Sequence, residues 1–188
     1  MTLYSIILFL HIASALGLFA SLSFELLSLF HLRRASDLPD VRRWIAPVPG
    51  LPLVVMASIL AVFFSGIFLT VRMSAFDTAW PKLTIGALLL IAPLGAVTGK
   101  RMRGIRRSSA EASTLEPELL SRLQDPFLKI SLGIRIAVFF GIVLLMAAKP
   151  ELWQSIGIVA CSVVLGLLWS LVVWRRSEPL SVGREFEG

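Results

Sequence analysis

Four residues of this chain combine ionisable chemistry with a shared spacing inside apolar surroundings: His11, Glu25, Arg135 and Lys149. His11 and Glu25 stand 14 residues apart in one apolar run, and Arg135 and Lys149 stand 14 apart in another. At ~100° per residue, 14 residues return to within ~40° of the same helix face. Glu25 lies ~12 Å along a helix from Arg33, and Arg135 lies ~12 Å from the start of its own run, at ~1.5 Å per residue. The two therefore sit at the same depth. A lone charge at that depth costs a few kcal/mol on insertion scales. The sequence thus predicts an intramembrane ion pair, Glu25 with Arg135, that sets the register of two helices. If those helices run in opposite directions, His11 comes level with Lys149. Met146, 11 residues from Arg135, shares its face with ~20° of drift.

Three kinds of chemistry are open to this stripe. In the structural one the ion pair holds two helices together, and His11 makes a hydrogen bond near the outer boundary of the apolar core, ~33 Å from Arg33. In the redox one His11 ligates the iron of a haem b, with Met146 as the second axial ligand. In the transport one Glu25 and Arg135 belong to a proton or ion path. His31 adjoins Arg33 and reads as an interface residue. Two His and the single Cys161 are too few for an ordinary zinc site, so no metal centre is expected. No phosphate loop, zincin motif or catalytic-triad signature is present.

These residues need elements to position them. Of 188 residues, 56% are hydrophobic, more than a soluble domain carries. Five runs approach the ~20 residues that cross a ~30 Å hydrocarbon core: Leu3–Phe30, Leu51–Val71, Leu83–Gly99, Phe127–Ala148 and Leu152–Trp174. Backbone groups in lipid must be satisfied within the segment, so each run is a helix. The fold class is an all-α membrane protein, a five-helix bundle. Residues 1–176 form one domain with a cytoplasmic loop at about 100–126, and 177–188 are a polar tail.

The net charge of +6 is distributed as topology signals rather than as a nucleic-acid patch. Arg33, Arg34, Arg42 and Arg43 follow the first run. Lys100, Arg101, Arg103, Arg106 and Arg107 follow the third, and Arg175 and Arg176 the fifth. By the positive-inside rule the N-terminus is outside and the C-terminus cytoplasmic. Trp44, Trp80, Trp153 and Trp174 fall at run ends, where amphipathic rings favour the interface. Ala13, Gly17 and Ser21 form a small-residue stripe for close helix packing. Pro47, Pro49 and Pro52 bar a regular helix between the first two spans, and Pro93 predicts a kink in the third. Ser113 and Glu116 form a capping box before a short amphipathic helix, with Leu115, Leu119, Leu120 and Leu123 on one face, lying on the inner surface. Asp125 and Pro126 read as the N-cap and first position of the fourth span.

The stretches "LHIASALGLFASL", "SGIFLTVRMSAFDTAWPKLTIGALLLIAPLGA" and "SLGIRIAVFFGIVLLMAAKP" resemble small bacterial integral membrane proteins, broadly similar to the copper-resistance-protein-D-like group. The resemblance implies a multi-pass protein of the bacterial inner membrane, and an association of an early-helix His, here His11, with haem or metal. With no identifiable catalytic machinery, the sequence leads to a non-enzymatic accessory or structural subunit without a cofactor. Its expected partners are the lipid bilayer and a membrane-protein assembly or a second copy of itself, and not nucleic acid. The alternatives are a haem b or quinone-linked redox protein using His11, and a small-solute or proton-coupled transporter using Glu25 and Arg135.

The topology is open to direct test. Reporter fusions after Arg43, Asp77, Arg107 and Gly188 should read inside, outside, inside and inside. A cytoplasmic reading at Asp77 would overturn the map.

Overall fold

The computed structural model describes residues 2–35, 37–45, 50–112 and 117–175, the last three by backbone alone. Among the described residues the chain is helical throughout, with no strand. The elements are α1 (Leu3–Leu32), α2 (Leu38–Ile45), α3 (Leu51–Arg72), α4 (Ala79–Glu111), α5 (Pro117–Leu123), α6 (Pro126–Ala148) and α7 (Leu152–Arg175). Five stretches, containing α1, α3, α4, α6 and α7, are long and apolar enough to cross a membrane. Pro47, Pro49, Ser113, Leu115, Glu116, Arg176 and the polar tail lie outside the described residues, as does the side chain of Trp174.

Local chemistry sets the boundaries. Thr2 opens α1 by accepting a hydrogen bond from the Ser5 N–H. Asp125 caps α6 by accepting from the Phe127 N–H at 2.9 Å, with Pro126 at the first position, where a missing N–H is harmless. Ser74 and Lys149 take the left-handed conformation at the two tight turns on one end of the bundle, with φ of 50° and 49°.

Two elements differ from the sequence expectation. The third span is expected over Leu83–Gly99 but α4 runs from Ala79 to Glu111 and unbroken through Pro93. Its 33 residues extend ~50 Å, well beyond a ~30 Å core. Lys100 to Arg107 cannot lie in lipid, but nothing prevents their helix from continuing in water. The connection after α1, expected to lack regular structure, contains α2. The Asp37 carboxylate accepts from the Asp40 N–H at 2.8 Å and starts it. Pro39 falls in the first turn, where proline is tolerated.

These extra helices form a cap at the arginine-rich end. Leu38, Val41 and Ile45 of α2 pack with Leu29, Leu32, Met102 and Ile105 in one buried cluster. Leu119 and Leu123 of α5 join the same cluster, so the apolar face of α5 packs against the bundle. Arg42 donates from Nε to the Ser109 carbonyl at 3.0 Å and from Nη2 to the Ala112 carbonyl at 2.8 Å. It thereby satisfies carbonyls that the end of α4 leaves without helical partners. His31 stacks on Trp44 with ring centroids 3.8 Å apart, so Trp44 is engaged by the protein.

Within the bundle, α3 packs along α1, and α4 and α7 pack along α6. The α1–α3 contact uses Gly17, where an added Cβ would lie 2.9 Å from Ser58 Oγ. Ser14 and Ser21 are buried on this side, whereas Ala13 is exposed, so the small stripe is rotated from the expected one. The tightest approach is between α6 and α7. A Cβ on Gly166 would meet Ile134 Cα at 2.7 Å and the Gly133 carbonyl at 2.8 Å. Both obstacles are backbone and cannot swing away. Gly166→Ala should therefore lower stability by roughly 1–3 kcal/mol, as overpacking does. Gly157→Ala, with nothing within 4 Å of the new Cβ, should stay within ~0.5 kcal/mol of the parent. Thermal unfolding of the two variants in one detergent checks this, and equal effects would contradict the close approach.

Candidate functional site

Although consecutive in sequence, α3 and α4 scarcely touch one another. The α1–α3 pair meets the α4–α6–α7 group along α1 and α6, which leaves a seam between α3 and α4. Two cavities occupy it. Ile59 and Phe63 of α3 pack against the buried cluster that holds Ala87, Leu88 and Ile91 of α4; Ile59 lines one cavity and Phe63 the other.

The ion pair lines the first cavity, on the side toward the arginine-rich end. Arg135 Nη2 of α6 donates to Glu25 Oε1 of α1, and only 6% and 15% of the two side chains are exposed. Both line a cavity of about 290 Å3 together with Leu18, Leu22, Val55, Arg103 and Arg106. Arg135 Nε is buried and has no hydrogen-bond partner. Gly95 gives the guanidinium room: a Cβ there would stand 3.4 Å from Nη1. Neighbouring hydroxyls join α4 to α6, with Thr98 Oγ1 and Ser131 Oγ 2.8 Å apart. At this end of the bundle, beyond the spans, burial draws the Arg33 guanidinium below its ordinary value, while the Asp125 carboxylate pulls it back up.

His11 stands in the second cavity, of about 270 Å3, lined also by Tyr4, Trp80, Thr84, Met146 and Lys149. His11, Met146 and Lys149 thus come together as antiparallel α1 and α6 require. The ring is buried and its Nδ1 lies 2.9 Å from Ser65 Oγ. Ser65 has one hydroxyl proton, and that proton goes to the Ala61 carbonyl one turn back. Ser65 therefore accepts from His11, and Nδ1 carries the proton. In the neutral ring Nε2 is then a lone pair; the Val62 backbone also lies within hydrogen-bonding reach of the ring. Gly66 lies against the ring, a Cβ there meeting Cε1 at 3.3 Å. Thr84 Oγ1, also buried, has no partner. The cavity thus sets the His11 imidazole and the Thr84 side chain in walls that are largely apolar but also carry Tyr4, Thr70 and Lys149.

Sequence reasoning missed Ser65, Gly66 and Thr84. A signal was available: "SG" is the small, polar break in the α3 run, ~10 Å from Arg72, and His11 is ~12 Å from Leu3. A haem b suits the donor set in part, since Nε2 can ligate iron and Met146 shares the cavity. It does not suit the space. At about 270 Å3 the cavity is below the ~300–1,000 Å3 that holds a drug-sized ligand, and a tetrapyrrole is larger still.

The ion pair makes a double-mutant cycle informative. Glu25→Ala or Arg135→Ala alone strands a buried charge and should cost ~3–5 kcal/mol. The double variant should lose less than the sum, by ~0.5–3 kcal/mol. Thermal unfolding in detergent measures the cycle, and additive losses would contradict the pairing.

No protein-family model, no curated protein and no solved structure matches the chain.

Proposed function

We propose that this protein is a small, non-enzymatic integral membrane subunit that holds a quinol-class ligand in the His11 cavity, within the bacterial inner membrane and with the arginine-rich end cytoplasmic. The observation that carries the proposal is the placing of the His11 imidazole and a partnerless Thr84 hydroxyl in the lining of one ring-sized cavity. A quinol hydroxyl donates to Nε2, and Thr84 bonds the oxygen at the other end of the ring. Buried polar groups left unpaired cost ~1–3 kcal/mol each, so a ligand that satisfies both gains affinity beyond the burial of its ring. Position along the seam lets such a ligand arrive from the bilayer. Membership of a larger assembly is part of the same proposal, because helices with small residues favour close contacts. A transport role is disfavoured because no residue lines both the His11 cavity and the cavity of the ion pair.

Trp80 lines the cavity and reports on it. A short-tailed benzoquinol added to the protein in detergent should quench tryptophan emission saturably, and more strongly at equal concentration than the corresponding quinone. Trp80→Phe should remove the response. His11→Gln should fold normally and weaken binding about tenfold, and Thr84→Val should weaken it by a similar factor. Quenching that is unchanged in both variants would defeat the proposal. So would a stoichiometric Soret band in protein expressed with ample haem and lost in His11→Gln, which would assign His11 to iron.

A further inference from the structure

The cavity around the ion pair differs in kind from the His11 cavity. Leu18, Ile59 and Ile91 line it toward the middle of their helices, and Arg103 and Arg106 line it at the arginine-rich end of α4. Neither arginine makes an ion pair among the described residues. Glu25 is the one acid among the lining residues, and it is already committed to Arg135. The site therefore carries excess positive charge at one end and is apolar at the other.

The cations are arranged as a ladder. Side chains on a helix lean toward its N-terminus, and Arg103 does so, its Nη1 lying 3.8 Å from where a Gly99 Cβ would stand. Arg135 Nη1 stands 3.4 Å from the corresponding point at Gly95. Gly95 and Gly99 are one turn apart on α4, ~6 Å at 1.5 Å per residue. A guanidinium at the arginine-rich end is thus followed, ~6 Å further along α4, by a second one whose Nε is buried without a partner.

We propose that this cavity binds an anionic glycerophospholipid. The phosphate sits between Arg103 and Arg106. An ester carbonyl just below it accepts from the Arg135 guanidinium. One acyl chain fills the space against Leu18, Ile59 and Ile91. The spacing of the two guanidinium levels corresponds to the short glycerol link between phosphate and ester. Charge selects the headgroup, the Arg135 guanidinium selects the ester, and the seam between α3 and α4 admits the tail from the bilayer.

Native mass spectrometry of the full chain in detergent tests the site, with dioleoyl phosphatidylglycerol and dioleoyl phosphatidylcholine present in equal amounts. The glycerol lipid should be retained preferentially. Arg103→Gln and Arg106→Gln should each reduce that preference about fivefold, which corresponds to ~1 kcal/mol per arginine. Ala92→Leu, which fills the cavity with the arginines intact, should abolish retention while the protein remains folded. An excess of glycerol phosphate should fail to displace the lipid. Equal retention of the two lipids, or unchanged retention in Ala92→Leu, would reduce the effect to ordinary surrounding lipid and overturn the proposal. Displacement by glycerol phosphate would overturn it in favour of a free-anion site.

Discussion

The Glu25–Arg135 contact is the constraint on which the rest of the bundle depends. Each charge alone would be expensive at its depth. Only one arrangement of α1 and α6 makes them partners, antiparallel with Glu25 opposite Arg135. That arrangement carries His11 to the level of Met146 and Lys149, and it places Phe19 of α1 against Phe139 of α6. A buried pair of this kind adds little net stability over an apolar substitute. Its effect is to make every other register costly, which apolar contacts between helices in lipid do weakly, because lipid tails are as apolar as Leu.

With α1 and α6 fixed, the remaining spans follow their small residues. α3 closes on α1 at Gly17, and α7 closes on α6 at Gly133, Gly141 and Gly166. Both partners of α6 and α1 are thereby used, and α3 and α4 are left facing each other across a seam. Apolar side chains fill only its middle. Most hydroxyls in the bundle bond back to their own helix: Ser21, Thr70, Thr98 and Ser162 each reach the carbonyl one turn earlier. Thr84 stands apart from that habit, and its Oγ1 and Arg135 Nε are buried without a partner. Each of the two residues lines one cavity, and neither cavity is apolar throughout.

Much of this was readable from residue types and spacing. Run lengths give five spans, because lipid requires each apolar stretch to satisfy its own backbone. The Glu25–Arg135 contact follows from depth and periodicity, since both residues are constrained by the same charge cost. Less legible was everything outside lipid, where hydropathy carries no length signal. α4 continues through its arginines to Glu111, and α2 forms in a connection whose prolines suggested none. The hydrogen-bond partner of His11 was hidden for another reason. Ser65 is one hydroxyl among many on the spans, and only the packing of α3 against α1 at Gly66 selects it. The protein contacts of the tryptophans were hidden in the same way: Trp44 stacks on His31 and Trp80 lines the His11 cavity.

The central claim is that a charged pair, not a neutral carboxylic acid beside an arginine, locks α1 to α6. Infrared spectroscopy of the protein in lipid at neutral pH, with carbon-13 in its glutamates and Glu25→Gln subtracted, reads the protonation state of that one side chain. The account predicts a carboxylate stretch assigned to Glu25 and no carboxylic-acid carbonyl stretch lost in the variant. A protonated carbonyl band that disappears in Glu25→Gln would contradict it, and the register of the bundle would then need another cause.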